Sequence, residues 1–268
     1  MAISLIVSYY KNLPNLQLIL EGLNIQSVKD FELIVAEDDH SEETIAFIDK
    51  ARKHYTFPIQ HLTQTEDLGF RKNKILNKAI IAAKNDLLVF IDGDCIPHKH
   101  FIKSYLKANP ENAILSGRRV MLSDKISQPM RSSSSLANLS FIKLLSSGSE
   151  KNKEGIYFPW FKLSFKKRGL LGCNWGVLKS KLEMVNGFDE DYTSPGVGED
   201  VDIEWRLKAH GLEIKSMKNK AIVYHLYHKR SYSEDKVAEN YQKLAEKQKK
   251  DQVVCLKGLR KLMDYTNA

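Results

Sequence analysis

At 268 residues and 30.7 kDa the chain is long enough for one large domain or two small ones. Its 43% hydrophobic and 28% charged residues suit a packed core and exclude a disordered tail or a disulfide-stapled miniprotein. The 41 basic against 33 acidic residues give a formal charge of +8 and a pI near 9.1, which favours an anionic partner such as nucleic acid, acidic lipid or a phosphorylated small molecule.

The amino terminus has no basic stretch before its apolar run Ile3-Ser4-Leu5-Ile6-Val7, so it reads as a buried first strand and not a signal peptide. No apolar run approaches the roughly eighteen residues of a membrane span. Pro14 suits a first helical turn, and Leu16, Ile19, Leu20 and Leu23 follow at helical spacing. Residues 31–35 form a second strand, after which Asp39 or Ser41 can cap a helix carrying Ile45 and Ile48. Residues 59–62 are a third strand and residues 71–84 a helix with Ile75 and Ala79 inward. Residues 87–91 are a continuous apolar strand, buried on both faces. This alternation predicts an α/β fold with a mainly parallel sheet and helices on both sides.

Beyond residue 119 the pattern weakens. Polar, low-complexity stretches at 132–135 and 146–155 read as flexible loop flanking a helix at 136–145. Order returns at residues 170–175, followed by a short helix at 179–185 stopped by Asn186-Gly187. A helix at 199–210 ends at Gly211, strands lie at 212–216 and 221–225, and the last forty residues are polar helix packed on the domain or on a partner. The three cysteines, Cys95, Cys173 and Cys255, lie far apart without metal-ligand spacing and suit a reducing cytoplasm.

Ligands of such sheets bind beyond the carboxyl ends of the strands. The first strand ends in Ser8-Tyr9-Tyr10, the second in Glu37-Asp38-Asp39, and the fourth in Asp92-Gly93-Asp94-Cys95. Two carboxylates straddling a glycine can hold Mg²⁺ or Mn²⁺, although Asp and Gly are also ordinary turn residues. Gly198-Glu199-Asp200-Val201-Asp202 opens a helix with three acids, which either complement the helix dipole or present a catalytic base to a cleft. Asp202 and Arg206 can form a plain i,i+4 pair. His225-Leu226-Tyr227-His228 places two imidazoles three apart at a strand end, and strand geometry predicts that only one of them reaches a common site.

Six segments in this order resemble the family-2 glycosyltransferases of the GT-A fold, particularly bacterial enzymes akin to chondroitin polymerase domains and the β-1,4-galactosyltransferases. They are Ser8-Tyr9-Tyr10-Lys11; residues 31–38; Glu66-Asp67-Leu68-Gly69-Phe70-Arg71 with Asn77-Lys78-Ala79-Ile80; residues 90–98; Gly172-Cys173-Asn174-Trp175 through Gly187-Phe188-Asp189-Glu190 to Gly198-Glu199-Asp200; and His225-Leu226-Tyr227-His228. The resemblance implies a GT-A domain over 1–228, with a nucleotide-binding half near 1–120, an acceptor half near 165–228, and a basic helical extension at 229–268. It implies inverting transfer of a hexose or N-acetylhexosamine from a nucleotide-diphosphate sugar, UDP by family habit, to a glycan or lipid-linked acceptor.

Carried over by position, Ser8, Tyr9, Glu37, Asp38, Asp67, Arg71 and Gly93 would line the nucleotide pocket, with Asp92 contacting the ribose or the metal. Asp94 and His225 would hold Mn²⁺ or Mg²⁺, Asp200 would be the general base, Glu199 would contact the acceptor, and Asn174 and Trp175 would border the sugars. Two positions depart from the family: Asp39 stands where it often has glycine, and Leu76 where it commonly has arginine, a loss that Arg71, Lys72 or Lys74 can make good. Basic, aromatic-rich surfaces at 151–168 and in the tail from Lys229 suit either contact with an anionic membrane at the inner face of the cell, or a lid or acceptor-binding loop at 151–168 whose aromatics stack on sugar with a tail that packs or dimerises. Two other classes compete. A nucleotidyltransferase would carry a glycine-rich basic loop after strand one, and a nucleic-acid binder would have no use for acidic strand ends.

Overall fold

The computed structural model describes residues 2–160, 168–195, 198–229 and 234–261. The aromatic positions Phe161 and Phe165, and Tyr232, lie outside them.

The chain runs β1 (Ile3–Tyr9), α1 (Leu13–Asn24), β2 (Phe31–Glu37), α2 (Glu42–His54), β3 (Ile59–Thr63), α3 (Lys72–Ala82) and β4 (Leu87–Asp92). Ser41, not Asp39, caps α2 by accepting the Thr44 N–H. Then come β5 (Cys95–Pro97), α4 (Phe101–Leu106), β6 (Ala113–Ser116) and β7 (Arg118–Met121), followed by α5 (Asp124–Ser133), α6 (Phe141–Ser146) and a 3₁₀ turn at Asn152–Gly155. The last elements are β8 (Asn174–Leu178), α7 (Lys179–Met184), α8 (Glu199–Ala209), β9 (Glu213–Ser216), β10 (Ile222–His225) and α9 (Glu234–Lys249).

Seven strands form the main sheet in the order β3-β2-β1-β4-β8-β6-β9. The first four are parallel, as expected, but β8 runs antiparallel to both β4 and β6. A second sheet, β5-β10-β7, was not foreseen, because its three- and four-residue strands are too short to show a period. Apolar side chains from β1, β2 and β4 pack on α1 and α2 on one face, and on α3, α7 and α8 on the other. This explains the two-sided burial of residues 87–91.

The segment expected as loop, helix and loop is different. Helix α5 spans Asp124–Ser133 across Pro129, burying Ile126 and Met130, whereas the second helix covers only Phe141–Ser146. Pro129 hid the first, since an internal proline reads as a breaker. The tail packs on its own domain. Asn186, at φ +63°, donates to the carbonyls of Cys255 and Arg260. Lys247 pairs with Asp189 at 2.7 Å and Asp191 at 2.9 Å. No described helix is long and apolar enough to cross a membrane.

Candidate active site

Strand register assembles the site. Parallel pairing sets Ser8 beside Asp92, and the Ser8 hydroxyl donates to Asp92 Oδ1 at 3.0 Å. A Cβ at Gly93 would lie 2.8 Å from the Ser8 carbonyl oxygen, so only glycine lets the two strand ends approach this closely. Across the small sheet His225 pairs with Cys95, and the Leu226 N–H donates to the Asp94 carbonyl, which brings the His225 ring to Asp94. His225 Nε2 lies 3.4 Å and His228 Nε2 3.1 Å from Asp94 Oδ2. Both imidazoles therefore reach one carboxylate, which corrects the expectation that only one would. β10 ends at His225, and beyond it the alternation of faces no longer applies.

Burial pushes the His225 pKa down, against the pull of Asp94, and so favours the neutral imidazole that ligates metals. Asp94, Cys95 and His225 present ligand atoms within 4.8 Å of one another. Burial also raises the Cys95 thiol well above its usual range, and its Sγ donates to Asp94 Oδ1 at 3.3 Å. The carboxylate and imidazole of this group fit a divalent cation such as Mn²⁺.

A second cluster faces this one from α8. Glu199 and Asp200 stand in its first turn after Gly198, whose φ of +142° L side chains rarely adopt. Pairing of Phe90 with Trp175 in β4 and β8 brings Gly172 against Asp200. Gly172 packs directly under that carboxylate, with which a Cβ at Gly172 would collide. Burial raises the pKa of Asp200, with Lys72 opposing, and burial followed by Asp200 raises Glu199 to about 7. Lys72 supplies the compensating charge, with Nζ 3.0 Å from Asp92 Oδ1 and 3.9 Å from Glu199 Oε1. Although burial disfavours its charge, these acids hold its pKa above the ordinary value. Leu76 is buried in the core.

Several expected pocket residues are placed elsewhere. Tyr9 is 2% exposed, and the accessible aromatic at that strand end is Tyr10, whose hydroxyl donates to Asp67 Oδ2 at 3.1 Å. Lys11 joins that rim, 2.5 Å from Asp67 and 3.5 Å from Asp39. Glu37 is fully buried against His61 at 2.8 Å. Asp38 organises the loop before α3 by accepting the Arg71 N–H at 2.7 Å and Gln64 Nε2 at 3.1 Å, while the Arg71 guanidinium turns back to the Glu66 carbonyl. Asn174 spends its amide on the carbonyls of Arg118 and Ala221 and on the Tyr105 hydroxyl. Trp175 stacks on Phe90 at 4.7 Å in the core and lines, with Lys72 and Asp92, the small cavity at Asp200. Tyr10 and Lys11 were given no role of their own, and Lys72 and His228 were named only as alternatives. Their partners lie far away in sequence or past a strand end, and only the basic residues flanking the Arg71 segment hinted at one of them.

The sheet and its strand-end carboxylates define a GT-A-type α/β protein. Residues 2–250 match the model "Glycosyltransferase like family 2", and the chain belongs to that family. Hyaluronan synthase of Pasteurella multocida is 25% identical over 232 residues, 80% of this chain but 24% of that protein. Probable glycosyltransferase YdaM of Bacillus subtilis (strain 168) is 21% identical over 72% of this chain and 43% of its own. The chain thus spans less than half the length of these curated relatives. Among solved structures, the mannosyltransferase PcManGT from Pyrobaculum calidifontis, in complex with GDP-Man and Mn²⁺, superposes with a TM-score of 0.62 at 16% identity, covering 93% of this chain and 64% of that one. GalNAc-T7 with UDP, GalNAc and Mn²⁺ gives 0.65 at 10% identity, covering 92% and 48%.

Proposed function

We propose that this protein transfers a hexose or N-acetylhexosamine from a nucleotide-diphosphate sugar, UDP-linked by preference, to a sugar hydroxyl with inversion at the anomeric carbon. The observation that carries this reading is the pairing at the end of β4 of two unlike clusters: Asp94 with two imidazoles, and the buried Glu199–Asp200 pair neutralised by Lys72. A divalent cation held by Asp94 and His225, with His228 in reach, would neutralise charge on a departing diphosphate. Mn²⁺ suits a mixed carboxylate and imidazole set better than Mg²⁺ does.

Asp200 accepts the proton of the acceptor hydroxyl as that oxygen bonds to the anomeric carbon and the bond to the diphosphate oxygen breaks. Burial raises both Glu199, to about 7, and Asp200, so the two acids titrate as a pair and share the proton between them. Lys72 holds Asp92 in place and tempers both acids. Tyr10, Lys11, Asp39 and Asp67 form the outer rim against the nucleoside, with Ser8, Gly93 and Asp38 shaping its floor.

The same reading includes peripheral contact with an anionic membrane from the cytoplasmic side. It is supported by α6, which exposes Phe141, Ile142 and Leu145 beside Lys143, and by exposed Trp160. The tail is a weaker support, since Lys247, Lys257 and Lys261 pair with Asp191, Asp189 or Glu190 of the domain. Flotation with anionic vesicles tests the contact, and salt-insensitive absence from the lipid fraction would remove it.

Thermal shifts with nucleotide sugars, with and without Mn²⁺, test the donor site, because a ligand bound only by the folded state stabilises it. Product anomer by NMR tests inversion. Stabilisation by no nucleotide, or full turnover in excess chelator, would overturn the corresponding part.

A further inference from the structure

Beside the base lies a groove of about 240 Å³ that none of the roles above uses. Arg118, Arg119, Lys151, Arg168 and Glu154 line it, and residues 169–171 form one wall. Those wall residues run directly into Gly172, which packs against the Asp200 carboxylate. The space at Asp200 itself is only about 10 Å³, roughly one water, so an acceptor that reaches the base must rest its bulk outside it.

The charge in the groove is unbalanced among the described residues. Glu154 is met by Arg168 at 3.1 Å and Lys218 at 3.6 Å. Arg118 is 6% exposed and spends Nη1 on the Ser116 hydroxyl and the Gly117 carbonyl, both neutral, while its Nε has no partner. Arg119 Nη1 meets only the Cys173 sulfur, at 3.4 Å, and its Nε too is unpartnered. A buried guanidinium with neutral partners and a free N–H is unfavourable unless an anion completes it. Under the transferase reading the donor's diphosphate is met by the cation at Asp94 and His225, and Arg119 lies close enough to His225 to act on it electrostatically.

We infer that the groove is an acceptor subsite for a glycan bearing a carboxylate or phosphate, held by Arg118, Arg119, Lys151 and Arg168 so that its hydroxyl meets Asp200. This rests on the transferase reading and names its substrate class. Arginine forks pair two N–H groups with a planar carboxylate or a phosphate, which makes the subsite selective for anions over neutral sugars.

The test is calorimetric binding of three oligosaccharides on one backbone: hexuronate-terminated, its carboxyl-reduced counterpart, and one ending in a sugar phosphate. The proteins are wild type, the Lys151→Gln/Arg168→Gln double variant, whose positions are exposed, and Arg119→Gln. At least one anionic ligand should bind wild type about tenfold or more tighter than the neutral one, with the preferred anion identifying the group. The preference should shrink in both variants and at high salt, while the UDP–Mn²⁺ thermal shift of the double variant stays unchanged. Equal binding of all three, binding of none, equal weakening of all three in the variants, or loss of the UDP shift in the double variant would overturn the inference; the last would assign the groove to the donor. Charge-selective binding without sugar transfer from any nucleotide sugar would defeat the transferase reading and leave the groove standing. Transfer without charge selectivity would defeat the groove alone.

Discussion

Replacing Lys72 by methionine removes the one cation among the described residues that contacts both Asp92 and Glu199, and the consequence is readable in pH. Its Nζ lies 3.9 Å from Glu199 Oε1, and unit charges about 4 Å apart interact by about 4 kcal/mol at an effective dielectric near 20. Water entering the vacated space and the part-exposed Asp92 would leave about a third to two-thirds of that. At 1.36 kcal/mol per unit, the apparent pKa of the Glu199–Asp200 pair should rise by about 1–2 units. A base must be deprotonated to work, so activity is lost as pH falls through its pKa. Raising the pKa moves the acid limb of kcat/KM upward by the same amount. Lys72→Arg, which keeps the charge, should leave the limb in place. The assay is nucleotide release across the pH range in which each variant stays folded. An acid limb that stays put or moves down in Lys72→Met, with binding of donor intact, would refute the coupling of Lys72 to the base.

Asp200→Asn keeps shape but not basicity, and should lower kcat by about 10²–10⁴-fold with donor binding retained; near wild-type turnover would remove Asp200 as the base. Asp94→Ala and His225→Ala should each abolish the Mn²⁺-dependent part of the nucleotide thermal shift, and His228→Ala should weaken it; an unchanged shift in Asp94→Ala would move the metal elsewhere. Asp202→Ala strands the fully buried Arg206, now paired at 2.6 Å, and should destabilise the fold by about 3–5 kcal/mol in urea. A loss below about 1 kcal/mol would show that the carbonyls of Val185 and Gly187 suffice for Arg206.

The sequence by itself determined the α/β class, the succession of the first four strands along the chain, the helix stops at Gly187 and Gly211, the strand-end positions of Asp92 and Asp94, and the helix-start positions of Glu199 and Asp200. These are local matters: apolar period, glycine freedom and acids after apolar runs are written within a few neighbouring residues. Tertiary structure alone decided which of those acids meet. The antiparallel insertion of β8 carried Gly172 to Asp200, the β5–β10 register carried His225 to Asp94, and helix α3 delivered Lys72 to carboxylates 20 and 127 residues away along the chain. It likewise sealed Tyr9, Glu37 and Trp175, whose motifs read the same whether the side chain faces solvent or core. Contacts of that kind depend on strand order and on the end of a strand, neither of which leaves a periodic mark in the chain.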